Sequence, residues 1–157
     1  MSGEISEEMP SGFVVFKLGG ERYGISLDAV REIGRVPPVT PIPGTDRFVV
    51  GVCSLRGNIV ALLDLHALFD LEGGDEVLSG HRMLILSHDD MLAGLLVDAV
   101  EGVVPLGEEG LDPPLAGLPE GLRPYLVGHL RSDDSVIAII DPAILISLRT
   151  RLEEAVA

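Results

Sequence analysis

Tryptophan is absent from this 157-residue chain, cysteine occurs once, and all aromatic side chains together make up 4% of it. A core without aromatic bulk has to come from Val, Leu and Ile, and a hydrophobic content of 46% is enough to build one ordinary domain or two very small ones. One cysteine forms no internal disulfide. Cys53 follows the apolar run Phe48–Val52 and is expected to be a small buried hydrophobe. Basic residues are scarce, 11 against 25 acids for a net charge of −14. Nucleic acid is thereby disfavoured as a partner, because phosphate neutralisation needs Lys and Arg, and anionic lipid surfaces are disfavoured for the same reason. No apolar run approaches the ~20 residues that span a bilayer. The N-terminal stretch carries Glu4, Glu7 and Glu8 in place of the basic and apolar regions of a signal peptide. A cytoplasmic protein with no direct membrane insertion is expected.

Chemistry-bearing constellations are also missing. His66, His81, His88 and His129 are scattered without metal-ligand spacing, so no metal is expected. No Ser stands in a nucleophile elbow, and Gly19-Gly20 and Gly73-Gly74 lack the context of a phosphate loop. The expectation is a chain with no catalytic residues and no cofactor.

What is present is a repeat. Gly24 pairs with Gly94, 70 residues on, and the register carries Phe13–Val30 onto Met83–Val100. A second block repeats after 77 residues: Gly51 on Gly128, Ile59–Asp64 on Val136–Asp141, and Leu68 on Leu145. Short β-branched runs bounded by Gly, Pro and Asp read as buried strands, and Gly19-Gly20 suits a two-residue hairpin turn. Asp28 is expected to cap a single helical turn, and Asp64 and Asp141 to cap short helices, the last with Pro142 in its first position.

These signals predict a mostly β protein of two pseudo-symmetric five-stranded barrels with short helices and a C-terminal helix. The expected divisions are a disordered lead over 1–12, a first barrel half over 13–71 and an acidic Gly-rich link over 72–81. A second barrel half over 82–140 and a helix over 141–157 complete the chain. The second copy of the apolar hairpin, with Leu95-Leu96-Val97 for Ile25-Ser26-Leu27, is the more uniformly apolar and reads as buried on both faces.

Two polar residues are not demanded by the repeat. The turn Leu55-Arg56-Gly57-Asn58 has Ser132-Asp133-Asp134-Ser135 as its counterpart, and Glu32 has Gly102. Arg56 fits either a solvated hairpin tip or a guanidinium aimed at a partner's carboxylate or carbonyl groups. Glu32 fits the solvent face of its strand.

The order Phe-x-Leu-Gly-Gly-x-x-Tyr-Gly-Ile from Phe16, Val30-Arg31-Glu32-Ile33, Pro41-Ile42-Pro43, Gly51–Gly57 and Leu63-Asp64-Leu65 resembles the CheW-like family of chemotaxis coupling proteins. Gly94–Val100 and Tyr125–Gly128 add to the resemblance, which spans about residues 13–149. It departs in detail: Ser54 stands where the family has Asn, and Ala61 where it has Pro. The resemblance implies two SH3-like barrels and a role bridging the helical cytoplasmic tip of a chemoreceptor and the regulatory domain of a CheA-type histidine kinase. It also implies partner-binding roles for Arg56 and Gly57 at the receptor-associated turn, for Val30 and Glu32 on the contact strand, and for Gly51, Gly94 and Val100 near a groove between the barrels. The competing reading is a regulatory double-barrel module that binds a small ligand or another signalling protein in a pilus or gliding pathway.

Overall fold

Residues 10–71 and 81–148 are described by a computed structural model of the chain. The strands are β1 (Gly12–Leu18), β2 (Glu21–Ser26), β3 (Val30–Arg35), β4 (Val49–Leu55), β5 (Asn58–Asp64), β6 (Arg82–His88), β7 (Met91–Val97), β8 (Ala99–Pro105), β9 (Leu126–Ser132) and β10 (Ser135–Ile140). Two short helices, α1 (Leu65–Leu68) and α2 (Pro142–Ser147), follow β5 and β10. Most of the expected lead and link, and the helix beyond residue 148, lie outside the described residues.

The strands form two five-stranded sheets, ordered β8-β1-β2-β10-β9 and β3-β6-β7-β5-β4. This corrects the expected division into one barrel over 13–71 and another over 82–140. Each sheet borrows its leading hairpin from the other copy: β1–β2 joins β8, β9 and β10, while β6–β7 joins β3, β4 and β5. The chain leaves the first sheet at Leu27–Ala29 and returns to it at Asp98. Exchange of equivalent elements is a low-cost rearrangement, because a duplicated hairpin fits either sheet with the same register and side-chain pattern.

The apolar runs are continuous because the inner strands are buried on both sides. In β5, Val60 and Leu62 enter one cluster with Cys53, Met83, Ile85 and Leu96, while Ala61 and Leu63 enter the large cluster between the sheets. In β10, Ile137 and Ile139 join Phe13 and Val15 inside the first sheet's barrel, while Ala138 and Ile140 face the shared cluster. That shared layer also takes Phe16, Tyr23, Phe69, Leu95, Leu145 and Ile146. Each fully buried Leu, Ile or Phe in it contributes about 1.5–3 kcal/mol. Cys53 is 3% exposed, and burial raises its thiol pKa.

Four two-residue hairpin turns carry positive φ at both central positions: Gly19-Gly20, Arg56-Gly57, Asp89-Asp90 and Asp133-Asp134. Such turns match the right-handed twist of the strands they join. Asp64 and Asp141 cap α1 and α2, accepting the N–H groups of His66 and Ala143 at 3.0 Å. Asp28 does not act as a cap. The helical turn begins at Leu27, so Ser26 takes that role and accepts the Asp28 N–H at 3.2 Å.

A candidate partner-docking site

β3 alternates half-buried Val30, Glu32 and Gly34 with exposed Arg31, Ile33 and Arg35. The carboxylate expected on the solvent face therefore points inward, and the aliphatic residue next to it points out. At the far edge of the same sheet, the β4–β5 turn carries Arg56 over it. Arg56 Nη1 lies 3.4 Å from Glu32 Oε1, with the Arg side chain 77% exposed and Glu32 25% exposed. The two residues singled out as unexplained by the repeat thus meet each other and span the sheet's two edges. An ion pair this open to water is worth about 0–1 kcal/mol. Its effect is to aim the guanidinium.

Arg56 sits at φ 53°. The other three turns place Gly or Asp at that position, residues that visit the left-handed region readily; an Arg there costs about 1–2 kcal/mol. Backbone strain kept at an exposed tip is a mark of function. Two aliphatic side chains of the same sheet also lie open, Ile33 at 46% on the face of β3 opposite Glu32 and Ile59 at 72% at the start of β5, neither of which the sequence pattern singled out.

The remaining candidates separate. Gly51 and Gly94 are buried. A Cβ on Gly51 would run into the Thr40 carbonyl, and one on Gly94 would come within 3.2 Å of Leu62 Cδ1, so both glycines serve close packing. Gly57, at φ 86°, faces open space. Val30 and Val100 are half-buried against the shared core at the two crossovers, one in each sheet. A groove of about 360 Å³ opens beside the first crossover, lined by Ser26, Asp28, Ala29 and Val127 among others.

One cluster escaped the sequence reading altogether. Asp98, at the second crossover, accepts the Gly19 N–H at 2.7 Å. His66 Nε2 lies 2.9 and 3.1 Å from its two carboxylate oxygens, and His81 Nε2 lies 3.3 Å from Oδ1. Both imidazoles are buried. The residues are 15 to 79 positions apart in sequence, so no spacing rule reveals them. The arrangement ties both sheets to a single carboxylate. Among the described residues no group of three or more His, Cys, Asp or Glu side chains could hold a metal ion.

Residues 12–149 match the family model for the CheW-like domain. The chain belongs to the CheW-like family. It is 33% identical over 133 residues to the chemotaxis protein CheW of Treponema pallidum, covering 82% of this chain and 77% of that one. It is 32% identical over 143 residues to the chemotaxis protein CheW of Klebsiella aerogenes, covering 90% and 84%. Among solved structures, the scaffolding protein TtCheW of Thermoanaerobacter tengcongensis superposes with a TM-score of 0.74 at 33% identity, covering 84% of this chain and 89% of that one. The family's two-barrel fold is therefore the fold of this chain; two of these relatives are named as chemotaxis proteins and the solved structure as a scaffolding protein. No helix among the described residues is long and apolar enough to cross a membrane.

Proposed function

We propose that this chain is a non-enzymatic adaptor that couples the helical cytoplasmic tip of a chemoreceptor to the regulatory domain of a CheA-type histidine kinase. The observation that carries the reading is Arg56. Its guanidinium is held by Glu32 in a strained turn and stays largely exposed, and the same sheet leaves Ile33 and Ile59 open to solvent. A helical hairpin can bury those aliphatic groups while Arg56 forks onto its carboxylate or carbonyl oxygens. Val30 supports β3 from the core side, and Gly51 and Gly94 act through backbone shape. The barrel of the first sheet offers Val103, the repeat counterpart of Ile33 and 56% exposed, on edge strand β8 beyond Val100. That edge suits the kinase domain.

The test is Arg56→Glu. Reversing a charge that becomes desolvated in a complex costs about 2–5 kcal/mol, or about 30-fold or more in affinity. Co-sedimentation with a receptor cytoplasmic fragment should be lost, with kinase-domain binding and thermal unfolding unchanged. Undiminished receptor binding would refute the assignment.

A further inference from the structure

The two crossovers are equivalent by the internal repeat, yet only one of them is filled. At the second, Asp98 engages His66, His81 and the Gly19 N–H. The repeat carries Asp98 onto Asp28, His66 onto Ala143 and His81 onto Ser11. A methyl group and a hydroxymethyl group thus stand where the other crossover has two imidazoles, and the methyl of Ala143, the counterpart of His66, lines a groove of about 360 Å³ together with Asp28. Its floor is apolar, with the buried Phe13, Ile139 and Ile140, and the exposed Val127 also lines it. Asp28 stands at its wall, exposed, and its carboxylate takes no hydrogen bond or ion pair among the described residues. Asp141, the α2 cap, adds a second carboxylate to the lining. The basic side chain there, His88, lies 3.4 Å from Asp89.

An occupant is constrained by this chemistry. An anion would meet two carboxylates. A purely apolar group would strip water from Asp28 and leave it unpaired, a penalty that outweighs the area gained. A nitrogen-bearing cation satisfies Asp28 as the imidazoles satisfy Asp98, and its hydrocarbon stem or ring covers the floor. We infer that the groove beside Asp28 receives a basic side chain, with Asp28 as its acceptor, from the protein that docks against β3. The inference rests on the adaptor reading and deepens it, since Asp28 lies two residues before Val30 at the entry to that strand.

The test is calorimetric titration of the full chain with a purified cytoplasmic fragment of a chemoreceptor from the same cell. Asp28→Asn should weaken binding about tenfold, the loss expected of one charge-assisted hydrogen bond, and should lower the salt dependence. Ala143→His places an imidazole from within the chain, as His66 does at the other crossover. It should weaken binding at least as much while holding or raising the melting temperature. Wild-type affinity in both variants, with Arg56→Glu still failing to bind, overturns this inference alone. Wild-type affinity in all three overturns the docking site with it.

Discussion

Replacing Gly51 by Ala separates a packing role from a partner-contact role at one position. Gly51 has φ 153°, and an added Cβ would press into the Thr40 carbonyl oxygen, 2.8 Å from the Thr40 carbonyl carbon and 2.9 Å from Pro41 Cα. All are main-chain atoms, so no rotamer change relieves the clash. The Thr40–Pro41 segment has to retreat, which breaks the bridge in which Thr40 N–H donates to Val52 O at 2.8 Å and Val52 N–H donates to Thr40 O at 2.9 Å. Two such bonds are worth about 2 kcal/mol net, and a side chain at this φ adds about 1–2 kcal/mol. The sum of about 3–4 kcal/mol lowers the Tm by about 6–16 °C for a domain of this size. Gly57→Ala is the control: its φ of 86° costs about 1 kcal/mol, and open space surrounds it. Thermal and urea unfolding of both variants, with receptor binding measured well below either midpoint, reads the difference. A Gly51→Ala protein that melts within about 2 °C of wild type would refute the packing argument.

Asp98→Ala should cost about 2–4 kcal/mol in urea unfolding, because it removes the acceptor shared by buried His66 and His81, whereas Asp28→Ala should stay within about 0.5 kcal/mol. Equal effects would show that the second crossover is not held as described. For Glu101, partial burial raises the carboxyl, but hydrogen bonds and charge from Arg22 at 2.9 Å and Lys17 at 3.4 Å outweigh it and hold the group below its ordinary 4.5. Its stabilisation is therefore complete above that value and lost as pH falls through the lower folded-state one. Glu101→Gln should lower stability at neutral pH and flatten the acid limb, its deficit against wild type vanishing as pH falls well below 4.5; an acid limb identical to wild type would contradict the linkage.

Much of the strand content was legible because its signals are local. Gly19-Gly20 and Asp89-Asp90 demand their turns, and Asp64 and Asp141 cap helices wherever the sheets lie. The hairpin exchange was hidden by the repeat itself: β1–β2 and β6–β7 have the same pattern, so periodicity cannot say which sheet each completes. Glu32 was misjudged for a related reason. Its neighbours Val30 and Ile33 suggested an aliphatic inner face, but a bulge at the start of β3, between Val30 and Glu32, sets the register that turns Ile33 outward. Asp98, His66 and His81 converge only in three dimensions. Gly51 was flagged as a groove residue, and its tight approach to Thr40 depends on a bridge between segments that nothing local announces. Arg56 and Glu32 were each singled out because the second copy lacks them, although their pairing had no signature in the chain.

The reciprocal loan of hairpins makes the two halves of the polypeptide mutual creditors. A protease nick between residues 71 and 81 would leave two fragments, each missing the pair of strands that the other carries. Neither fragment could close a sheet by itself, so the cut pieces would stay clasped as a complementing pair, and strain applied to one lobe would be felt in the other.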